Sequence, residues 1–244
     1  AFPSARMLQA MLTRGRIAGT DLTASNVQLA QDAFGNSEAI FAAKSTKKKT
    51  RQKNSVAAAI ISYQFEQKVY ADILSIDGIS YLAVKSLPLG KVFCKFLSST
   101  QAEVVQPILS SCIRELTDKG FAITLLHCDN QFIAIEYRGI ASGNLDLAAA
   151  SYHALVAERL IRTIRERLRC IYFDANAHPA LSFLWAEAMD YVAKSLNYLP
   201  PMDALDASSP FEVFTNTRLD VRRHLRCAFF DVVIFQQASP STDS

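Results

Sequence analysis

The order of predicted elements between residues 69 and 127 restricts this chain to few folds. Residues 69–76 and 79–84 are strand-like runs separated by Asp77-Gly78, a dipeptide typical of two-residue hairpin turns. Residues 91–97 alternate in part between apolar and polar side chains and predict a third antiparallel strand. A helix and a short, continuously apolar strand at 122–127 follow. This order predicts an α/β domain with a mixed sheet rather than a doubly wound parallel one.

Three helices are predicted to cover that sheet. The first begins at a capping box, Thr100-Gln-Ala-Glu103, and stops at Gly120, with Pro107 as a misfit inside it. A long helix spans about residues 148–172 and carries a core stripe with helical spacing: Ile161, Ile164, Leu168 and Ile171. A third helix runs from about residue 179 to 196, before two prolines.

The remaining segments suggest four regions along the chain. Residues 1–43 form a small helical N-terminal extension, with a helix beginning near Thr23 and stopping at Gly35. Residues 44–68 form a basic linker, residues 69–200 the core domain, and residues 201–244 a C-terminal extension with a β segment at 228–235.

The linker concentrates positive charge, although the formal net charge of the chain is only +3. No Asp or Glu occurs between residues 39 and 65, and six cations lie close together. These are Lys44, Lys47, Lys48, Lys49, Arg51 and Lys53. Clustered Lys and Arg release counterions from phosphates, so contact with nucleic acid is one interpretation. A solvated linker is the other.

Composition and charge pattern limit the cellular setting. Every apolar run is interrupted before the roughly 18 to 20 residues of a membrane helix, so no membrane insertion is expected. Five cysteines without a Cys-x-x-Cys pair favour a reducing compartment. The first acidic residue is Asp21, after three arginines, and such an acid-poor start resembles the remainder of a mitochondrial import sequence.

Three carboxylates stand at positions that need an explanation. Asp72 lies within a strand, Asp129 follows the last predicted strand, and Glu158 is on the long helix. Asp is a poor strand former, so Asp72 either faces solvent on an edge strand or has a role in metal binding. Divalent ions held by carboxylate oxygens can drive phosphodiester chemistry.

The residues around these carboxylates resemble a known family. Val69-Tyr-Ala-Asp72-Ile-Leu, with Gly78-Ile-Ser-Tyr-Leu and Pro88-Leu-Gly90, is similar to the first catalytic strand and hairpin of copia-type retrotransposon integrases. The His153-x4-Glu158-Arg159 helix resembles the one that supplies their third carboxylate. The likeness extends over about residues 12–235 and includes Ser209-Pro-Phe-Glu.

This resemblance implies a ribonuclease-H-like fold with a triad of two aspartates and one glutamate. Asp72, Asp129 and Glu158 would then be the catalytic residues and the ligands of Mg or Mn. Arg159, Arg162, Arg165 and Arg169 would lie near the nucleic-acid backbone. A surface ladder of salt bridges is the alternative interpretation of these four arginines.

Several departures from the family pattern favour lost or weak catalysis. Bulky residues, Asn130-Gln-Phe-Ile, follow Asp129 where small, glycine-containing sequence is usual. Only 28 residues separate Asp129 from Glu158, fewer than the usual interval. Phe230 replaces a customary glycine, and no zinc-binding His-His-Cys-Cys module is present.

The sequence therefore predicts a domesticated, transposon-derived protein that binds nucleic acid within a large ribonucleoprotein. The mitochondrial ribosome is the favoured assembly, with rRNA and neighbouring proteins as partners and a mitochondrial location. An active integrase that carries out two-metal DNA strand transfer in the nucleus or cytoplasm is the alternative. A subunit that binds only proteins is the third possibility.

Overall fold

The computed structural model of the chain describes residues 4–35, 66–128, 132, 144–147, 154–174, 184–200 and 208–224. Its main body is a five-stranded mixed sheet with helices packed on both faces. This arrangement confirms the predicted α/β class and the ribonuclease-H-like fold that the resemblance implied. Within these residues, no helix combines the length and apolar character needed to cross a membrane.

The N-terminal arm is helical, as predicted. It contains α1 (Ala5–Thr13), the short strand β1 (Ile17–Ala18) and α2 (Ala24–Phe34). Thr23 caps α2, because its hydroxyl accepts a hydrogen bond from Asn26 N–H while Asn26 Oδ1 accepts one from Thr23 N–H at 2.8 Å. Gly35 follows with a positive φ of 64° and ends the helix.

Three antiparallel strands form one half of the sheet. They are β2 (Glu66–Ile76), β3 (Ile79–Leu87) and β4 (Val92–Leu97). Asp77 and Gly78 form the turn between β2 and β3 with φ values of 48° and 78°. Two successive positive φ angles are characteristic of a type I′ turn, which fits the twist of a hairpin. The predicted hairpin is confirmed, and each of its strands is three residues longer than predicted.

Parallel strands form the other half of the sheet. β5 (Ala122–Cys128) lies beside β2, and β6 (Asn144–Leu147) lies beside β5. The strand order is β4-β3-β2-β5-β6, so β2 is central. β6 has no counterpart among the predicted strands, because its four residues are too few for a recognisable alternation.

The helix α3 (Ala102–Thr117) covers one face of the sheet. Its residues Val105, Leu109 and Leu116 are buried and belong to the same core cluster as Val69 of β2. The helix continues through Pro107, which lies on its exposed side. One face of the sheet is therefore closed by an apolar helix surface.

The predicted capping box at the start of α3 is wrong. The N-cap residue is Gln101 rather than Thr100, and no side chain caps the helix. Because the helix starts one residue later than predicted, Glu103 occupies the second helical position instead of the third, from which a capping box reaches back. Ser99 contributes instead, since its Oγ accepts a hydrogen bond of 3.1 Å from Gln101 N–H.

Two helices cover the opposite face of the sheet: α4 (Ala154–Asp174) and α5 (Trp185–Asn197). All four residues of the predicted core stripe on α4 are buried, and they pack with Leu74 of β2 and Val192 of α5. Residues 148–153 and 179–183, where the sequence predicts the starts of these helices, lie outside the described residues.

Asn197 joins the end of α5 to the edge strand β4. Its buried side chain accepts a hydrogen bond from Val92 N–H and donates one to Val92 O, both at 2.8 Å. In the described part of the sheet no strand lies beyond β4, so this amide pairs backbone groups that a further strand would otherwise bind.

The C-terminal region folds back onto the N-terminal arm. It comprises α6 (Pro210–Thr215), β7 (Leu219–Asp220) and α7 (Val221–His224). β7 pairs in parallel with β1, and Leu219 packs against the buried Met7 and Met11 of α1. Arg16 adds a hydrogen bond of 3.0 Å from its Nη1 to Ser208 Oγ. The β segment predicted at residues 228–235 lies outside the described residues.

Candidate nucleic-acid interface and carboxylate site

Asp72 lies where the parallel part of the central sheet ends. It is on β2 and pairs with Ala83 of β3 on one side. On the other side the pairing with β5 ends one residue earlier, at Ala71 and Cys128. The half-buried Asp72 carboxylate accepts a hydrogen bond of 2.7 Å from Ile73 N–H. The carboxylate therefore stands at the carboxyl end of β5, an edge where parallel sheets commonly bind ligands.

The Asp72 side chain belongs to the face of the sheet that α4 covers. Side chains alternate between the two faces along a strand. Ala71 belongs to the core cluster with α3, whereas Leu74 belongs to the cluster with α4 and α5. Asp72 is two residues before Leu74 on β2, so the two side chains lie on the same face of the sheet. The carboxylate thus faces the same layer as the helix that carries Glu158.

Asp129, the second carboxylate of the predicted triad, lies outside the described residues. Its predecessor Cys128 is the last residue of β5 and is paired with Ala71. The described part of β5 therefore ends beside the neighbour of Asp72, and the pairing of Asp72 with Asp129 stays a prediction.

Glu158 is exposed on the second turn of α4 and forms an ion pair with Arg162. Its Oε1 lies 3.4 Å from Arg162 Nη2, one helical turn away. An exposed pair at this spacing contributes about 0.3–0.5 kcal/mol, so it places little constraint on either side chain. Glu158 is available for another cation at small energetic cost.

The donor chemistry of this region fits a hard divalent cation only in part. Carboxylate oxygens of Asp72 and Glu158 are the type of ligand that Mg and Mn prefer. In the described part of the chain, no three His, Cys, Asp or Glu side chains come together as a metal-binding group. A complete ligand set therefore depends on Asp129.

The four predicted arginines all lie on α4, and each of them is exposed. Arg162, Arg165 and Arg169 follow Glu158 at intervals of four, three and four residues, which places these four side chains in one row along the helix. The row flanks the buried stripe instead of lying opposite it, because Leu168 of the core lines a cavity together with Arg165 and Arg169. Arg159 stands away from the row.

That cavity lies between the β2–β3 turn and the C-terminal half of α4. Its volume is about 520 Å³. Arg165, Arg169 and Tyr172 line it on α4, Ser75, Ile76 and Asp77 line it at the turn, and Trp185 lines it at the start of α5. Trp185 Nε1 donates a hydrogen bond of 2.9 Å to Asp77 Oδ2, which ties the turn to α5.

An aromatic pair lies next to Asp72 on the same face of the sheet. Tyr70 of β2 and His127 of β5 are neighbours in the register, and their rings stack with centroids 4.7 Å apart and planes at 15°. His127 is buried. Burial raises the pKa of the Tyr70 phenol above its ordinary value. The phenol therefore stays protonated at neutral pH, and its ring lies with that of His127 beside the carboxylate.

The predicted cations of the linker lie outside the described residues. These are Lys44, Lys47, Lys48, Lys49, Arg51 and Lys53. Their contact with nucleic acid stays a prediction. Among the predicted site residues, the structure therefore describes Asp72, Glu158 and the four arginines of α4.

Sequence reasoning missed the cavity residues Tyr172, Asp77 and Trp185. Helical spacing could have indicated Tyr172, because it follows Arg169 by three residues and Arg165 by seven and so continues the row. The contact between Asp77 and Trp185 joins residues 108 positions apart, and no local pattern indicates it.

Comparison with known proteins gives a likeness of fold. No family model matches the chain, and no curated protein matches it. Among solved structures, the catalytic core domain of BIV integrase is similar, with 17% identity over 63% of this chain and 95% of that chain, and a TM-score of 0.42. The strand order and the helices on both faces of the mixed sheet are those of the ribonuclease-H-like fold that the sequence predicts.

Proposed function

We propose that this chain is a nucleic-acid-binding structural component of a large ribonucleoprotein, derived from an integrase whose catalysis is lost or weak. The observation that carries the proposal is the exposed arginine row of α4. We favour RNA over DNA as the partner, and the mitochondrial ribosome as the assembly. Neighbouring proteins of that assembly would be further partners, and the location would be mitochondrial.

The row has the chemistry of a phosphate-binding surface. Arg162, Arg165 and Arg169 are spaced along nearly two helical turns of one rigid helix, so they can follow a phosphate backbone. Guanidinium groups bind phosphate oxygens through two parallel hydrogen bonds. The ion pair between Arg162 and Glu158 is exposed, so phosphate can replace the Glu158 carboxylate as the partner of Arg162.

One feature of the sequence supports RNA as the partner. The basic segment 44–53 contains six cations. Basic extensions bind RNA chiefly through phosphates and shape, without requiring a base sequence. The bulky residues after Asp129 support weak catalysis, because a catalytic group displaced by about 1 Å loses about two orders of magnitude in rate.

Binding of fluorescent RNA hairpins and of DNA duplexes, followed by anisotropy at several salt concentrations, tests this function. Each phosphate contact adds about 0.9 to the logarithmic salt slope for duplex DNA. We expect Arg162→Gln to weaken binding several-fold and to lower the slope by about one contact. Arg114→Gln, on the exposed side of α3, is the matched control and should change neither quantity.

Equal effects of the two substitutions, or no binding at all, would contradict the proposal and favour a subunit that binds only proteins. Sedimentation of mitochondrial extracts tests the assembly. The tagged chain should migrate with ribosomal particles and leave them after ribonuclease treatment.

The alternative function, an active integrase, is favoured by one observation. β5 ends beside Asp72, whose side chain lies on the face of the sheet that α4 covers. If the segment after Cys128 turns toward that face, Asp72, Asp129 and Glu158 would hold Mg or Mn. Such ions activate an attacking hydroxyl and stabilise a leaving phosphodiester oxygen. Strand-transfer assays with Mg²⁺ or Mn²⁺ decide between the two. Product that Asp72→Asn and Asp129→Asn both abolish would establish catalysis.

A further inference from the structure

We infer that the cavity between α4 and the β2–β3 turn binds one unpaired nucleotide, with its phosphate on Arg165 and Arg169 and its base against Tyr172. This inference rests on the proposed nucleic-acid-binding function and names the element that the far end of the arginine row would recognise. The cavity volume, about 520 Å³, falls in the range of small-molecule pockets, about 300–1,000 Å³.

The lining of the cavity combines the two chemistries of a nucleotide. Arg165 and Arg169 present guanidinium groups one helical turn apart, suited to phosphate oxygens. Tyr172 follows one turn later and leaves 40% of its surface exposed, although it is a large aromatic residue. A base that stacks on such a ring and a phosphate one turn away match the dimensions of a single nucleotide.

The same lining disfavours a paired duplex. Bases within a duplex stack on each other and do not present their faces to a protein ring, whereas unpaired bases do. The Asp77 carboxylate also lies in the cavity and would repel a phosphate placed at the turn. That carboxylate accepts from Trp185 and can accept a further hydrogen bond from a base N–H. The phosphate is thus directed to Arg165 and Arg169, and the base to the space between Tyr172 and Asp77.

The floor of the cavity is fixed before any ligand binds. Asp77 and Gly78 form a tight two-residue turn, and the hydrogen bond from Trp185 anchors this turn to α5. Trp185 itself is nearly buried, with 9% of its surface exposed. A preformed floor lowers the entropic cost of binding, since the turn does not have to become ordered around the ligand.

Trp185 also provides the measurement, because it is the single tryptophan of the chain and lines the cavity. The full chain is titrated in EDTA with AMP, ribose 5-phosphate and inorganic phosphate while Trp185 fluorescence is followed. We expect AMP to bind at least about fivefold more tightly than ribose 5-phosphate, which corresponds to the lower end of base–aromatic stacking. Tyr172→Leu should remove this difference and leave the ribose 5-phosphate affinity unchanged.

Matched controls lie next to the tested residues. Phe173→Leu alters an aromatic side chain that is 44% exposed and packs edge-on against Tyr172, with ring centroids 5.9 Å apart, but lies outside the cavity lining, and it should keep most of the AMP affinity of the wild type. Arg165→Gln with Arg169→Gln should weaken all three phosphate ligands about tenfold or more, while Arg114→Gln should not. Circular dichroism checks that each variant is folded, and Tyr172→Leu alone suffices if the double variant is not.

The inference is overturned if AMP binds no better than ribose 5-phosphate, or if Phe173→Leu loses as much affinity as Tyr172→Leu. The outcomes separate this inference from the proposed function. Long RNA that binds through Arg162 while AMP does not bind rejects the cavity alone. AMP that binds through Tyr172 while long RNA is insensitive to Arg162→Gln rejects the proposed function alone.

Discussion

The helices α3 and α4 cover opposite faces of the same sheet, and each buries an apolar stripe against it. Their exposed sides differ. The charged residues that α3 exposes are two glutamates and one arginine, whereas α4 exposes four arginines and Glu158. The face under α4 also carries the Asp72 carboxylate, the stacked Tyr70–His127 pair and the cavity at the β2–β3 turn.

The α3 face therefore serves the stability of the fold, whereas the α4 face also carries the residues of the proposed binding surface. Both faces need apolar burial, because the sheet is central and would otherwise expose its side chains to water. At the margin of the α4 face, polar groups line the space that the helix and the turn do not fill. Stability and binding should therefore respond separately to substitutions on the two faces.

The largest expected effect comes from truncating the fully buried residue at the centre of each helix. Leu109→Ala in α3 and Ile164→Ala in α4 should each lower the free energy of unfolding by about 2–5 kcal/mol, because both side chains are completely inaccessible to solvent. Urea denaturation measures this loss. Leu29→Ala, at a position 65% exposed on α2, is the control and should cost less than about 0.5 kcal/mol. A large difference between the two faces would show that one of them is not a packed core.

A smaller effect is expected at the hydrogen bonds that join α5 to β4. Asn197→Ala leaves Val92 N–H and Val92 O without their partner, and we expect a loss of about 2 kcal/mol at about 1 kcal/mol for each bond. Ser195→Ala is the matched control on the same helix. Its hydroxyl bonds to Tyr191 O within α5, so its loss should stay below about 0.5 kcal/mol. Equal losses would show that the edge strand is held by packing alone.

Alkaline pH should act on both faces through one thiol each. Burial raises the pKa of Cys94, on the α4 face, and of Cys112, on the α3 face, from 9.0 to about 12. Above pH 9 the unfolded chain releases these protons and the folded chain keeps them, so stability is complete below pH 9 and falls as pH rises toward 12. The slope is about 1.4 kcal/mol per pH unit for each thiol.

Urea denaturation of the wild type and of a Cys94→Ala, Cys112→Ala variant between pH 8 and 11 isolates this contribution. The half-buried Lys91 has a lowered pKa, because desolvation exceeds its attraction to Glu115, and it makes stability rise with pH below 10.5. Both proteins share most of this opposite trend, since Cys112 is only a minor cause of the Lys91 shift, so the trend largely cancels in their difference. A difference that stays constant from pH 8 to 11 would contradict the burial of the thiols.

The smallest effect on stability should come from the α4 surface. Glu158→Gln removes an exposed ion pair to Arg162 and should change the free energy of unfolding by less than about 0.5 kcal/mol. RNA binding should become tighter, because a negative charge leaves the arginine row. Anisotropy titrations and urea denaturation measure the two quantities. Weaker RNA binding by this variant would show that Glu158 orients Arg162 for its phosphate.

The sequence predicts the sheet well where neighbouring residues determine the structure. The Asp77-Gly78 hairpin, the apolar β5 and the core stripe of α4 each follow from local spacing, and each is confirmed. The predicted start of α3 is wrong by one residue, because Gln101 and not Thr100 is the N-cap and no side-chain hydrogen bond fixes this end of the helix. β6 is too short to show a period.

The candidate site is less predictable because its parts meet only after folding. Asp72 and Glu158 follow from the resemblance to integrases, and the arginine row follows from helical spacing. The pairing of Tyr70 with His127, and of Asp77 with Trp185, depends on the register of β2 with β5 and on the docking of α5. Neither contact can be predicted from a single segment of the sequence.

The pairing of β1 with β7 determines when the N-terminal arm can fold during synthesis. Ile17 pairs with Leu219, and Arg16 bonds to Ser208, so the N-terminal arm waits for about 200 further residues before it can dock. At about 5–20 residues per second, that delay is about 10–40 s. The sheet can form once Leu147, the last residue of β6, has been synthesised, and Met7 and Met11 then remain exposed to chaperones and to other chains until Leu219 becomes available. The arm is therefore open to proteolysis for longer than the sheet.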